Sequence, residues 1–442
     1  MNTSEWPTVH LTCPHEGATA ERGVCEHLAK DDTLDYYQKF TGRGSQYDLV
    51  CGECGRLAAE VAVPLRRVCL ACFTGLEEGL SVFGCSGILG RPVPLERPTG
   101  LAFSHETSVV GLPAEDVIAA LQPCGLGSQA EGIALARNGS LFRIDFASGS
   151  AEFITRITGS QLDWDKEVSL HVTEDGRLAA IANTYEQHGV VVDLVTGRVT
   201  MALQRDDYCI HVSRFPISFV SEGGRTLLVH GTAWNRLDVS DPRTGELLTE
   251  RGPTSYDRGE ERPPHYLDYF HSGLLASPNY EWIADNGWVW HPVGGVRTWN
   301  LKEWLGRNVW EAEDGASVRT LCWRSYLWDK PLCWLDDQTL AVWGFGSDDD
   351  FMLPAIRIFD AATGKESHWF AGPEGELTFD AFLFASGSEQ GTSVWDVKTG
   401  ERLCLAPDFT PSCYHRSSKT FITLLPGGPF RLSRLEGTGE RT

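Results

Sequence analysis

Short apolar runs alternate with polar turns over most of this chain, and one turn sequence returns five times. In the pattern D-x-x-[ST]-G, Asp accepts hydrogen bonds from nearby backbone amides and Gly takes the positive φ that reverses the chain. An apolar run precedes each copy and another follows it, so the pattern predicts repeated β-hairpins. The five copies begin at Asp145, Asp193, Asp241, Asp360 and Asp396.

The spacing of these turns indicates a repeat architecture. Successive copies lie 48, 48, 119 and 36 residues apart, and a period of ~40–50 residues with several strands is typical of a β-propeller. We predict an all-β propeller of seven blades, with six or eight as alternatives. We expect the repeated turn to join the inner hairpin of each blade. Residues 99–111 are expected to add a strand to the last blade and so close the ring.

One copy of the repeat carries a more specific signature. The stretch Ser393-Val-Trp395-Asp396-Val-Lys-Thr-Gly400 resembles the WD40 repeat. The other copies are similar to relaxed WD40 or quinoprotein-like propellers of bacterial type, because most lack the Trp before the Asp. The resemblance implies a WD40-like propeller domain over residues 99–442.

The longest interval between turns contains an aromatic-rich insertion. Residues 250–271 are too many for an ordinary blade connection, and loops of this length are often functional. Ten of the fifteen tryptophans lie between Trp282 and Trp343, where they can serve either recognition or packing between blades. For the insertion we weigh partner binding, a structural cover over one propeller face, and catalysis. The candidate partner-binding residues are Tyr256, His265, Tyr266, Asp268, Tyr269 and His271.

Cysteines are concentrated near the N-terminus, where six of the thirteen precede residue 73. Cys51-Gly-Glu-Cys54 and Cys69-Leu-Ala-Cys72 are two C-x2-C pairs, and two such turns supply the four thiolates of a structural zinc site. Cys13-Pro-His15 and Cys25-Glu-His27 form a second candidate set for another ion. An interleaved pairing, in which Cys25 and His27 share an ion with one C-x2-C pair, is also open.

Part of this cysteine pattern has a known counterpart. The order Cys25-Glu-His27, Cys51-x2-Cys54 and Cys69-x2-Cys72 resembles the ubiquitin-protease-type zinc finger over about fifty residues. The histidines that this family carries after the last pair are missing here, so ubiquitin binding does not follow. We predict a zinc-binding domain of ribbon or treble-clef type, with a Pro-rich linker, over residues 1–98. Short helices are expected at 35–40 and 300–306.

Charge and hydropathy narrow the range of partners and locations. The net charge of −22 argues against a general nucleic-acid binder, which needs basic surface. No run is long and apolar enough to span a bilayer, and the N-terminus lacks the regions of a signal peptide. We therefore expect a cytoplasmic protein with a protein partner and neither a nucleic acid nor a membrane as a partner.

The sequence favours a binding protein over an enzyme. It has no G-x-S-x-G, H-E-x-x-H, Walker or strand-borne G-x-G-x-x-G motif, and a zinc ion with four protein ligands leaves no open position for water. The first hypothesis is a non-catalytic interaction or scaffold protein with no catalytic residues. The alternative is a propeller enzyme that acts on a small molecule at the channel mouth through Asp268, His271 or His291.

Overall fold

The fold is taken from a computed structural model of the 442-residue chain. The structure describes residues 21–31, 33–42, 44–57, 65–80, 85–113, 115–256, 259–290, 292–346, 352–426 and 428–437. The predicted ligands Cys13 and His15, and His291, lie outside these ranges. No helix within them is both long enough and apolar enough to cross a bilayer.

The N-terminal part forms a small α+β module, in which a five-stranded sheet of order β4-β1-β3-β2-β5 packs with two helices. The segment predicted as a helix at 35–40 is instead a strand, because Tyr36, Gln38 and Phe40 alternate toward the core. The elements are Glu21–Cys25 (β1), Tyr36–Phe40 (β2), Tyr47–Cys51 (β3), Gly52–Leu57 (α1), Leu65–Cys69 (β4), Leu70–Leu80 (α2) and Cys85–Leu89 (β5).

Seven further sheets form the propeller, as predicted. Two strands precede the first full blade, Leu95–Glu96 (β6) and Ala102–Ser108 (β7). Blade 1 consists of Ile118–Cys124 (β8), Glu131–Ala136 (β9), Ser140–Asp145 (β10) and Ser150–Arg156 (β11). Blade 2 consists of Val168–Val172 (β12), Leu178–Asn183 (β13), His188–Asp193 (β14) and Arg198–Gln204 (β15).

Blades 3 to 5 follow in chain order. Blade 3 consists of Ile217–Glu222 (β16), Arg225–Ala233 (β17) and Arg236–Ser240 (β18). Blade 4 consists of Phe270–Ala276 (β19), Trp282–Val289 (β20), Val293–Asn300 (β21), the helices Leu301–Gly306 (α3) and Glu311–Asp314 (α4), and Arg319–Ser325 (β22). Blade 5 consists of Leu332–Trp334 (β23), Thr339–Phe345 (β24), Leu353–Asp360 (β25) and Glu366–Ala371 (β26).

The last two blades each take a strand from upstream in the chain. Blade 6 has Glu376–Phe379 (β27), Leu383–Gly387 (β28), Gly391–Asp396 (β29), Glu401–Ala406 (β30) and, in parallel beside β30, the short β6. Blade 7 has Cys413–His415 (β31), Thr420–Leu424 (β32) and Phe430–Glu436 (β33), and β7 adds its fourth strand antiparallel to β33. Residues 99–111 therefore close the ring, as predicted.

The repeated turn joins the third and fourth strands of blades 1, 2, 5 and 6, so the predicted position in the inner hairpin is wrong. The first strands of neighbouring blades contact one another around the centre, and the turn lies on the outer hairpin. Its local geometry is as expected. Gly197 has φ 70° and its N–H donates to the Asp193 carbonyl at 2.8 Å, while the Asp193 carboxylate accepts from the amides of Val195 and Thr196.

Among the described residues, blade 3 has three strands, because the chain leaves the sheet after β18. A single bridge, Ser240 to Leu247, marks the place where that strand would begin. Side chains then cap the exposed edge: Thr249 Oγ1 accepts from Val239 N at 2.9 Å, and Arg251 donates to the Leu237 carbonyl at 2.7 Å. Capping of this kind removes an open edge that would otherwise pair with another chain.

Blade 4 is the most elaborated blade. Its second strand is continuous from Trp282 to Val289. Helix α3 begins as predicted after Asn300, whose side chain accepts from Glu303 N. Trp304 and Ala312 pack α3 and α4 against Val229 and Leu237 of blade 3. Helices α3 and α4 of blade 4 thereby stabilise the three-stranded blade 3 beside them.

The N-terminal module contacts the propeller at blade 5. Phe40 and Tyr47 of the module pack with Phe345 and Trp369, and the last two rings stack at 3.8 Å. The Pro-rich segment that follows the module is held on blade 6, where Arg97 forms ion pairs with Asp396 and Glu401. The module is thus packed against the ring by an apolar cluster.

Candidate metal centre and partner-binding surface

Three cysteines and one histidine converge at one end of the module. The ligand atoms of Cys25, His27, Cys51 and Cys54 all lie within 4.8 Å of one another. His27 Nδ1 lies 3.3 Å from Cys54 Sγ and 3.4 Å from Cys51 Sγ. The cysteines are buried and the histidine is exposed. This group can hold a metal ion.

The sheet places these four side chains together. Parallel pairing of β1 with β3, with Val24 opposite Leu49, brings the ends of both strands to the same edge. Cys25 and Cys51 are the last residues of these strands, and α1 carries Cys54 one turn further on. Backbone amides also point at the sulfurs, because Cys51 N donates to Cys25 Sγ at 3.3 Å.

The donor set fits a tetrahedral zinc site. Zinc–sulfur and zinc–nitrogen bonds of the usual length put a thiolate and an imidazole about 3.5 Å apart on a tetrahedron, close to the two distances from His27. Burial, together with the neighbouring thiols of Cys25 and Cys51, raises the pKa of Cys54 to about 12. A cation is therefore what would stabilise the thiolate forms in this pocket.

The other C-x2-C pair lies elsewhere in the module. Cys69 ends β4 and is buried, and Cys72 lies half-buried in the first turn of α2. In the ladder between β1 and β4, Cys69 is opposite Glu21 and Cys25 is opposite Leu65. The structure thus brings Cys51 and Cys54 together with Cys25 and His27, which is the interleaved pairing, rather than with Cys69 and Cys72.

Four of the six candidate partner-binding residues lie at the surface of the insertion. Tyr256, His265 and Asp268 are exposed and Tyr266 is half-buried. Tyr256 and Tyr266 contact each other edge to face at 5.2 Å. His265 stacks on Trp310 at 4.7 Å, and its Nδ1 lies 2.9 Å from an Asp314 oxygen. The insertion is therefore fastened to helix α4.

The remaining two candidates are buried and have internal partners. The Tyr269 hydroxyl donates to the Gly295 carbonyl at 2.8 Å and accepts from Gly287 N at 2.7 Å. His271 Nδ1 lies 2.5 Å from a buried Asp285 oxygen. These contacts tie the end of the insertion to blade 4, so both residues have a structural role in the free protein.

A larger aromatic cluster adjoins the insertion, and we call it the aromatic surface. Phe270 and Trp288 stack at 3.9 Å and form its buried base. The side chains above them are Tyr208, Trp234, Tyr256, Tyr266 and Trp290. Tyr208 and Trp290 are 46% and 49% exposed, which leaves large rings open to solvent.

The aromatic surface lies on one face of the propeller. Tyr208 belongs to the connection from blade 2 to blade 3, while Trp234 and Trp290 lie in the turns between the second and third strands of blades 3 and 4. In antiparallel blades these connections emerge on the same face. Sequence reasoning did not single out Tyr208 or Trp234, because nothing local marks them and only the ring brings them to the insertion.

The centre of the ring contains a cavity of about 610 Å³. Its lining includes Tyr280, Trp334, Tyr414 and Arg416. His415, beside them, is buried, with Nε2 2.9 Å from the Cys124 carbonyl and Nδ1 2.8 Å from Ser418 Oγ. Within the described residues, the cluster of Cys25, His27, Cys51 and Cys54 is the one group of three or more potential ligands.

Comparison with known proteins gives a structural likeness alone. No family model and no curated protein matches the chain. A solved structure titled "Crystal Structure of Mitotic Checkpoint Complex" is similar with a TM-score of 0.46 and 11% identity, over 78% of this chain and 94% of that one.

Proposed function

We propose that this protein is a non-catalytic interaction scaffold, in which the propeller presents the aromatic surface to a protein partner. The observation that supports the proposal is the exposure of Tyr208 and Trp290 above a stacked aromatic base. Tyrosine and tryptophan dominate the binding energy of protein interfaces, because each gives a large contact area with few rotatable bonds. A surface of this kind suits a protein partner better than a small substrate.

The connections that carry these rings are held in place before any partner binds. Trp288 Nε1 donates to Ser213 Oγ at 2.8 Å, and Trp328 Nε1 donates to the Val212 carbonyl at 2.8 Å. These bonds fix the segment that follows Tyr208. A preformed surface loses less conformational entropy on binding, and this favours affinity.

A set of matched variants tests the proposal. Affinity capture from the source organism would use the wild type, the Tyr208→Ala/Trp290→Ala double variant and Trp323→Ala. Trp323 is 46% exposed on the outer strand of blade 4 and is not one of the rings of the aromatic surface. A partner that is retained by Trp323→Ala and lost with the double variant supports the proposal. Equal recovery with all three proteins contradicts it.

We further propose that the N-terminal module is a structural zinc domain. Cys25, His27, Cys51 and Cys54 would hold one ion, and their four donors fill a tetrahedral shell. We assign the other four predicted ligands, Cys13, His15, Cys69 and Cys72, to a second ion, although Cys13 and His15 lie outside the described residues. Glu21, the first residue of β1, is opposite Cys69.

The division into residues 1–98 and 99–442 is part of the same proposal. The module has its own core, which includes Val24, Leu49, Val50 and Phe73. The segment between the units is nevertheless fixed on blade 6 through β6. Limited proteolysis tests the division: a stable fragment that begins near residue 99 supports it, and cleavage that always destroys the propeller contradicts it.

A further inference from the structure

We propose that the aromatic surface recognises a basic side chain, an arginine or a lysine, on the partner protein. The inference rests on the proposed function and adds the chemistry of the ligand. It follows from three observations: the charges around the exposed rings, the half-buried carboxylate of Asp206 beside them, and the guanidinium of Arg262, which packs against a tyrosine ring of the same surface.

Acidic groups outnumber basic groups around the aromatic surface. The connection 205–216 and the insertion 250–271 together carry five exposed carboxylates, whereas Arg214 and Arg262 are the exposed arginines among their described residues. Arg214 is already paired with Asp329. The whole chain has a net charge of −22, so the surroundings add to the negative potential. The five exposed carboxylates are those of Asp207, Glu250, Glu260, Glu261 and Asp268.

Asp206 lies next to Tyr208 and Trp234, and only part of the hydrogen-bonding capacity of its carboxylate is used. Its Oδ1 is buried and has no hydrogen-bond partner among the described residues. Burial raises the pKa of Asp206, against the opposing effect of the backbone amides of Trp234 and Tyr208. A cation bound above these rings would favour the charged form of the carboxylate.

Arg262 shows how the surface accepts a guanidinium. Its Cζ lies 4.7 Å from the centre of the Tyr266 ring, and its Nε donates to the Tyr256 hydroxyl at 3.2 Å. A cation over an aromatic face is attracted by the ring quadrupole. Tyr208 and Trp290 contact each other edge to face, with ring centres 6.4 Å apart, and they retain exposed area for a second cation.

Selection from a library of displayed random peptides tests the inference. We expect the wild-type protein to enrich peptides rich in arginine or lysine. These peptides should bind Trp323→Ala normally and bind Trp290→Ala about two- to fivefold more weakly, the loss expected for one exposed cation–π contact. Replacing the key basic residue of a peptide by glutamine should cause a similar loss. Far-UV circular dichroism and the melting temperature would show that each variant is folded.

Three outcomes would overturn the inference, and the first two separate it from the proposed function. Peptides that depend on Trp290 but contain no basic residue would refute the recognition of a cation and leave the interaction surface in place. A selection that yields no peptide dependent on Trp290 would contradict both proposals. Asp268→Asn and Asp207→Asn should weaken basic peptides, whereas Asp337→Asn, an exposed aspartate on blade 5, should not; equal binding by all three variants would also refute it.

Discussion

Cys25 and Cys69 lie at opposite ends of one antiparallel ladder. Cys25 is opposite Leu65 and Cys69 is opposite Glu21, with β1 and β4 paired residue by residue between them. Four residue steps along a strand span about 13 Å. The two cysteines are therefore too far apart to share one metal ion, and the module cannot bring both C-x2-C pairs to a single site with Cys25.

The first prediction concerns the number of zinc ions. We expect two ions per chain in the intact protein, by mass spectrometry under native conditions. Cys54→Ser and Cys69→Ser should each remove one ion, because we propose that the two residues bind different ions. Cys404→Ser, on strand β30 of blade 6, is the matched control and should keep both. One ion in the wild type, lost in Cys54→Ser and kept in Cys69→Ser, would refute the second site.

Metal removal should affect the module far more than the propeller. Zinc contributes folding free energy on the order of 10 kcal/mol in small metal-binding domains. We expect a chelator to abolish hydrogen-exchange protection in β1 and β3, and to leave strands such as β13 and β14 of blade 2 protected. If both parts keep their protection after the metal is gone, the ion has no structural role.

Sequence reasoning succeeds where the signal is local. The turn at Asp193 and Gly197 needs only its own side chains and one positive φ, so its pattern is visible in the sequence. The assembly of Cys25, His27, Cys51 and Cys54 depends instead on the parallel register of β1 and β3, which no spacing rule specifies. Tyr269 and Tyr266 look equivalent in sequence, but one hydroxyl is buried against Gly295 and the other ring is half-buried at the surface.

The contact between module and propeller should depend on a few aromatic side chains. Phe40 packs edge to face against Phe345 at 6.4 Å and Trp369 at 5.9 Å. Truncation of a buried Phe costs roughly 3–5 kcal/mol. We expect Phe40→Ala to increase hydrogen exchange in β24 and β26 of blade 5. Phe153→Ala, on an exposed ring of blade 1, is the control, and equal exchange in both variants would contradict the packing role.

Low pH should weaken the cap on blade 3, which is the set of contacts that Thr249 and Arg251 make with the edge of β18. Burial alone would raise the pKa of Asp238, but bonds from Thr232 and the charges of Arg251 and Arg236 outweigh it and hold that pKa below its usual value. A carboxyl with a lowered pKa contributes stability above its unfolded pKa, and this contribution is lost as the pH falls through the folded value. The unfolding free energy should therefore drop below about pH 4.

Asp238→Asn tests this account of the cap. Arg251 Nη1 donates to Asp238 at 2.7 Å, and Arg251 also pairs with Glu313 of α4. Breaking a buried pair from one side costs roughly 3–5 kcal/mol, so the variant should be less stable at pH 7 and less sensitive to acid. Asp337→Asn should have the same unfolding free energy as the wild type at pH 7 and in acid. Parallel acid profiles for Asp238→Asn and the wild type would contradict the assignment.

The central claim is that the aromatic surface contacts a protein partner, and site-specific photo-crosslinking tests it most directly. A photoreactive phenylalanine analogue would replace Trp290 in one protein and Trp323 in the other, and both would be irradiated in the source organism. The account predicts a discrete partner adduct from position 290 and none from position 323. No adduct from position 290, or the same adduct from both positions, would contradict it.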